Sequence, residues 1–228
     1  MSYPKYLKIC TVLAATSALA GCFGNGNPAG TPRGGGPTTI AAYDAEFNRV
    51  SGTAPTSDMP TRLQASYSGA LQVAVADSAV RGQMLADLDL DVDWTDGQVA
   101  SAFTGGSVTN VQMSSGTGPL QPVAGTLTVL PNAPATPNLI ARVSNTIPLP
   151  IGGSAQIDTG TMLVSLGGQL SANGETADAI IGLNGTFSGP GATAALGPAV
   201  GVLANSSSVG TGGLLDNGSL SGTFYVER

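Results

Sequence analysis

Alternation of apolar and polar residues is the dominant pattern from residue 62 onward. In the segment MLADLDLDVDW (84–94) every even position is apolar, and the odd positions from 87 to 93 are Asp87, Asp89, Asp91 and Asp93. Successive side chains of a β-strand point to opposite faces, so this segment predicts a strand with one apolar and one acidic face. A slip of one residue in register would bury four carboxylates, and the register is therefore strongly specified.

The same period of two recurs in further short segments. Residues 63–75 carry apolar side chains mainly at odd positions, and Thr95-Asp96-Gly97 predicts a turn from which 98–103 returns as a second strand. Other strands are expected at 123–130, 139–144, 161–170, 179–187, 198–204 and 219–226. Short strands separated by Gly, Asn, Pro and Ser turns indicate an all-β fold. We predict an antiparallel β-barrel of about eight strands, because closure leaves no open edge.

The first 60 residues lack this period and divide into three parts. Lys5 and Lys8 precede an uncharged apolar run that is too short to span a membrane, so 1–21 is typical of a signal peptide. Residues 22–39 are rich in Gly, Pro and Asn, which predicts a flexible tether. Segment 40–60 is a lead-in, either a short helix with apolar residues 42, 43, 47 and 50 on one face or a partly ordered segment. The barrel domain is expected at 61–228.

The end of the apolar run carries a recognisable motif. Leu19-Ala20-Gly21-Cys22 resembles the lipobox of bacterial lipoproteins, in which the chain is cut before the cysteine. Cys10 would be lost with the leader, and a lone thiol at Cys22 would have no disulfide partner in an oxidising compartment. The resemblance implies a lipoprotein that holds the membrane through palmitate-type acyl chains on Cys22. Because Phe23 rather than Asp follows, it also implies the outer membrane, with the barrel facing either the cell surface or the periplasm.

Composition excludes several classes of function. Removal of 1–21 leaves six arginines and no lysine against 14 acidic residues, a formal charge of −8, so the basic stripe that nucleic-acid binding needs is missing. The chain has no histidine, so a nucleophilic serine would lack its usual base and a structural zinc site its usual ligands. We therefore predict no enzyme, no nucleic-acid partner and no cofactor.

The sequence suggests two ligands, calcium and heme, that can be tested against the known requirements of their sites. The aspartate row 87–93, with Asp96, invites a calcium interpretation, but an EF-hand loop counted from Asp89 would need Gly and Glu where Trp94 and Ala100 stand. We expect the row to be a solvated strand face and predict no metal site. For heme, the absence of histidine leaves tyrosine and methionine as ligands, and Tyr67 and Tyr225 are expected to be packing residues of strands.

A longer motif carries a family resemblance. The segment GTFSGPGA (185–192) resembles the G-x-F-x-G-P-x-A signature of the transferrin-binding protein B family of barrel lipoproteins. The final GTFYVER (222–228) resembles the closing strand of those barrels, and 90–97 resembles one of their hairpins. Ser188 replaces the tyrosine of the family, and the chain has room for one barrel only. Transferrin binding is therefore not carried over to this chain.

The resemblance implies an architectural role for the signature. Phe187 would fill the core, Gly189-Pro190 would end the strand in a turn, and Gly197 and Gly201 would allow close approach of the next strand. For the whole chain it implies an outer-membrane-anchored lipoprotein whose non-catalytic barrel binds an unidentified protein partner, such as a host or surface protein. The alternatives are a periplasmic barrel that binds a small molecule, iron or heme, and an envelope structural protein without a ligand. Cys22 is the one functional residue assigned.

Overall fold

The computed structural model describes residues 36–76, 81–132, 137–150, 152–205 and 213–228. The predicted signal peptide, Cys22 and the tether up to residue 35 lie outside the described residues. The described residues belong to one compact unit. The elements within it are α1 (Ile40–Ser51), β1 (Arg62–Ala76), β2 (Arg81–Thr95), β3 (Phe103–Ser115), β4 (Gln121–Pro122), β5 (Ala124–Gly125), β6 (Leu127–Val129), β7 (Leu139–Pro148), β8 (Ser154–Ala172), β9 (Glu175–Ser188), β10 (Ala194–Asn205) and β11 (Gly218–Glu227).

Eight of these strands form a closed antiparallel ring. The hydrogen-bonded order is β2-β1-β11-β10-β9-β8-β6-β3, and β3 pairs with β2 to complete the circuit. The predicted all-β class and the predicted number of about eight strands are confirmed. Strands β8 and β9 are joined by a two-residue turn in which Asn173 and Gly174 both have positive φ, the conformation that the right-handed twist of a hairpin favours.

The interior of the ring is filled by side chains. The even-numbered residues of β2 from Met84 to Trp94 are all buried, and the aspartates point outward, as the alternation predicts. The described inward side chains form one contiguous cluster, which includes Trp94, Tyr67, Phe187, Phe224 and Met113. Burial of each such side chain contributes about 1.5–3 kcal/mol, so this cluster is the main source of stability.

The predicted return strand at 98–103 is wrong. The turn at Asp96-Gly97 is present, but β3 begins only at Phe103. The Gln98 side chain explains the difference, because its amide nitrogen donates to the carbonyl of Ser101 at 2.8 Å and its oxygen accepts from the Thr95 amide at 3.0 Å. These bonds satisfy the backbone of a compact loop, so the loop needs no strand partner.

Most of β3 was not predicted from the sequence, and a β-bulge is the reason. Val108 and Val111 are both buried although an odd separation would place them on opposite faces of a regular strand. The pairing of β3 with β2 shifts register at this point, and Asn110 has a φ of 50°. One extra residue in a strand inverts the alternation beyond it. The sequence of β3 therefore shows no continuous alternation of apolar and polar residues.

The expected strand at 123–130 is divided into the short strands β5 and β6. A buried asparagine, Asn138, forms hydrogen bonds to the chain at the end of β6. Asn138 has no exposed surface. Its Nδ2 donates to the Leu130 carbonyl at 2.6 Å, and its Oδ1 accepts from the Ser165 amide at 2.8 Å. Its own carbonyl accepts from the Ala102 amide at 3.2 Å. The asparagine therefore continues the backbone pairing of β6 with β8 beyond Val129, where the two strands separate.

Strand β7 extends beyond the ring. It pairs with β8 from Leu139–Leu163 to Pro148–Ser154, whereas the pairing of β8 with β9 begins at Thr161. The far end of the β7–β8 hairpin is therefore an arm, and its strand is longer than the predicted 139–144.

Helix α1 packs on the outer face of the ring, against β1, β10 and β11. Thr39 is its N-cap, since its side chain accepts from the Ala42 amide at 3.2 Å. Tyr43 and Val50, on one face of the helix, are fully buried in a second cluster that also contains Leu85 and Tyr225. Of the two possibilities for 40–60, the structure contains the helix.

Candidate functional site

A groove lies beside α1 on the outer face of the ring. It has a volume of about 550 Å³ and is bounded on one side by Ala42, Ala45, Glu46 and Arg49 of the helix. The opposite side is formed by strand residues, which are Ser68, Gly69, Asp87, Asp89, Tyr225 and Glu227. The outward side chains of neighbouring strands in register build this wall, since Ser68 pairs with both Asp89 and Glu227. We refer to it as the α1 groove.

The α1 groove carries an excess of negative charge. Glu46, Asp87, Asp89 and Glu227 line it together with one arginine, Arg49. The Arg49 guanidinium donates to Glu46 at 2.8 Å and also to Glu227. The hydrogen bonds that it donates to Glu227 and then to Glu46 raise the pKa of Arg49 above its usual range, so this side chain is cationic at any working pH. Two of the four carboxylates are paired with it, and Asp87 accepts instead from Asn110 Nδ2 at 2.6 Å.

One aromatic side chain, Tyr225, lines the floor of the groove. Tyr225 packs against Tyr43 of α1 with ring centroids 5.5 Å apart, and the Tyr43 hydroxyl is hydrogen-bonded to Thr223 at 3.0 Å. Burial, reinforced by the charges of Glu46 and Glu227, raises the pKa of Tyr225 to about 12. The phenol is therefore neutral near pH 7, and it gives the floor an apolar body with a polar tip.

The aspartate row is divided between the groove and the open strand face. Asp87 and Asp89 line the groove, whereas Asp91 lies further along β2 and accepts a hydrogen bond from Ser66 at 2.6 Å. Within the described parts of the chain, no group of three or more acidic, cysteine or histidine side chains is arranged to hold a metal ion. The four aspartates face outward, as the alternation predicts, and the absence of a metal site stays a prediction.

Tyr67 and Tyr225, the tyrosines considered as heme ligands, have structural surroundings that differ from each other. Tyr67 is buried inside the ring, where its hydroxyl donates to the Ala192 carbonyl at 2.6 Å and its ring contacts Phe187. Burial raises its pKa to about 12. Tyr225 faces outward under α1. The two side chains lie on opposite faces of the sheet, so they do not form one site.

The segment 185–192 has the architecture expected from the sequence. Phe187 is 1% exposed and lies in the core. Gly189 has a φ of 73° at the turn that ends β9. A side chain at Gly197 or Gly201 would overlap a carbonyl oxygen of the neighbouring strand β9, so both positions require glycine for close approach. The segment supplies packing and a turn, and it lines none of the grooves described here.

The sequence analysis did not predict the α1 groove, although two interruptions of the apolar–polar alternation point to it. Met84-Leu85-Ala86 and Phe224-Tyr225-Val226 are apolar triplets that interrupt the alternation of their strands. The middle residue of each triplet points outward and lies under α1. An apolar residue at an outward position indicates that another element covers the sheet there. Here that element is α1, and the groove forms along its edge.

The membrane assignments concern residues that lie outside this site. Cys22 is not among the described residues. In the described part of the chain, no helix is both long and apolar enough to cross a membrane. Comparisons with protein-family models, curated proteins and solved structures found no match to the chain. The resemblance to the transferrin-binding protein B family therefore remains a prediction from the residues quoted above.

Proposed function

We propose that this chain is an outer-membrane lipoprotein, anchored through Cys22, whose non-catalytic barrel binds a protein partner in the α1 groove. The observation that carries this proposal is the contrast between the two sides of the sheet. The inward side chains form a contiguous buried cluster, whereas the outer face carries a groove of about 550 Å³. A binding surface on the outside suits a macromolecular partner better than a small molecule held inside the barrel.

The charge of the groove indicates the chemistry of the partner. Four carboxylates and one arginine line it, and the whole chain has a net charge of −6. A segment with lysine or arginine side chains would complement this surface and would be steered toward it. Tyr225, which lines the groove and is 6% exposed, offers such a segment a small aromatic contact.

Site-specific photocrosslinking in intact cells tests the binding surface. A photoreactive residue replaces Ala45, which lines the groove, and the matched control carries it at Val99, which is 92% exposed and lies outside the groove. We expect a discrete protein adduct from position 45 that is absent from position 99. The adduct should disappear when Glu46→Lys and Asp89→Lys reverse the groove charge. Equal adducts from both positions, or an adduct indifferent to the charge reversal, would contradict the proposal.

The anchor is tested separately by Cys22→Ala. We expect the substituted chain to lose incorporation of labelled palmitate and to leave the membrane fraction. Protease treatment of intact cells then distinguishes the two orientations, because a surface-exposed barrel is degraded and a periplasmic one is protected until the outer membrane is opened. Membrane retention of the Cys22→Ala chain would refute anchoring through this residue.

A further inference from the structure

Strand β7 has a free edge. Among the described residues it pairs with β8 alone, and no other strand lies along its opposite side. An unpaired edge presents a row of N–H and C=O groups that can template another strand. The sequence of β7, LIARVSNTIP, has no lysine and carries proline only at its last position, so the devices that commonly protect an edge are missing.

The hydrogen-bond pattern identifies the groups on that edge. The Leu149 amide donates to the Gly153 carbonyl at 3.1 Å, which makes these residues a bonded pair in the register of the hairpin. Bonded and non-bonded pairs alternate along an antiparallel ladder. Odd-numbered residues of β7 therefore bond to β8, and Ser144 and Thr146 direct their backbone groups to the free edge.

The outward face of the arm is apolar and accessible. Val143 and Ile147 are 51% and 46% exposed. They lie on the same face of β7, on either side of Asn145, because residues two apart in a strand share a face. Two valine- or isoleucine-sized side chains placed directly opposite each other on neighbouring strands stabilise a sheet.

The arm carries no net charge, in contrast to the rest of the molecule. Its two charged residues, Arg142 and Asp158, pair with each other at 2.7 Å, and Arg142 also donates to the Met59 carbonyl at 2.9 Å. A chain with a net charge of −6 repels a second copy of itself across most surfaces. The neutral edge of β7 is a place where two copies can approach without that repulsion.

We propose that two copies of this chain form a dimer by antiparallel pairing of β7 with β7 about a two-fold axis at Asn145. In this register Val143 lies opposite Ile147 of the second copy, so both apolar side chains find an apolar neighbour. Ser144 and Thr146 lie opposite each other and exchange backbone hydrogen bonds, which agrees with the direction of their N–H and C=O groups. The same patch meets itself, as an isologous interface requires.

Cysteine crosslinking of the full chain in membranes tests this register. The two copies of Asn145 would form a non-bonded pair with Cα atoms about 4.5 Å apart, within the range of a disulfide. The matched control is Thr146→Cys, since the Cα atoms of its two copies would be about 8 Å apart, from an offset of ~6.8 Å along the strands and a strand spacing of ~4.8 Å, which is beyond that range. Mild oxidation should give a covalent dimer from Asn145→Cys and only background from Thr146→Cys. The unsubstituted chain, treated in the same way, defines the background.

A second pair of variants tests whether the apolar face contributes. In the Asn145→Cys chain, Ile147→Lys should reduce the covalent dimer about tenfold or more, because a lysine would face Val143 of the second copy. Val202→Lys is the control, since Val202 is 51% exposed on β10, and it should leave the dimer unchanged. An Asn145→Cys chain without a dimer band, equal crosslinking from position 146, or equal loss from both lysine variants would overturn the proposal.

Sedimentation of the purified, detergent-solubilised chain without introduced cysteines provides an independent measurement. The dimer should be present and should become a monomer with Ile147→Lys. A chain that stays monomeric at ~100 µM, well above the dissociation constants of specific complexes, would overturn the proposal even if the cysteine variants failed to fold.

Discussion

Replacement of Asn138 by leucine tests how much one buried side chain stabilises the ring where β6 meets β8. Leucine has a similar size and fills the same space, but it removes both side-chain hydrogen bonds. The Leu130 carbonyl and the Ser165 amide, now bonded at 2.6 and 2.8 Å, would be left without their partner. Because Asn138 has no exposed surface and leucine leaves little space, water does not easily replace it.

The magnitude follows from the two groups left unsatisfied. Each buried polar group without a partner costs about 1–3 kcal/mol, and the apolar side chain of leucine recovers part of that. A net loss of about 3 kcal/mol in the free energy of unfolding is expected. With a urea dependence of about 2 kcal/mol per molar, the midpoint of unfolding would fall by ~1.5 M.

The chain provides its own probe for this measurement. Trp94 is the single tryptophan and is 1% exposed, so its fluorescence reports exposure of the core during urea unfolding. The control is Asn48→Leu, the same substitution at an exposed position of α1. It should shift the midpoint by ~0.3 M or less, since substitutions at exposed positions change stability little. If the Asn138→Leu midpoint moved no more than that of the control, the stabilising role of the Asn138 side chain would be refuted.

Three further predictions use the same unfolding assay or hydrogen exchange. Tyr67→Phe should cost about 1–2 kcal/mol, because the buried Ala192 carbonyl loses its donor. Hydrogen bonds from Ser144 and Gln156, with Arg142 nearby, lower the pKa of Asp158 below its usual value of 3.8. The stability that this group adds is present above that value and lost as the pH falls below it, so Asp158→Asn should reduce the loss of stability as the pH falls below about 4. Val50→Asp should remove exchange protection from α1 and leave the ring protected, since Val50 belongs to the outer cluster.

The sequence predicted the parts of the fold in which alternation is uninterrupted. The aspartates of β2 allow one register only, and that strand was found nearly to its ends. Strand β3 was missed because the bulge at Asn110 inverts the pattern. The sequence predicts a strand where residues 98–102 form a loop, because the bonds made by the Gln98 side chain depend on the folded structure and have no signature in residue type.

The candidate site could be predicted only in part, because it depends on two elements that are distant in sequence. Acidic residues of β2 were recognised as an exposed face, but the groove exists only because α1 covers the neighbouring strands. Docking of α1 joins residues about 180 positions apart, as the Tyr43–Thr223 hydrogen bond illustrates. Periodicity within one segment carries no information about such a contact. The outward Leu85 and Tyr225 do indicate that another element covers them, because each is an apolar residue where the alternation requires a polar one.

The two proposed surfaces use the outer face of the sheet in different physical ways. The α1 groove is concave and acidic, and its lining comes from α1 and from strands β1, β2 and β11 of the ring. The edge of β7 is neutral, and it recognises another strand through backbone groups rather than side-chain charge. High salt should therefore weaken a partner held in the groove, because screening reduces the attraction between exposed charges. It should leave the β7 pairing unchanged or stronger, since that contact buries apolar side chains without a net charge. Salt dependence alone is thus enough to assign an observed association to one surface or the other.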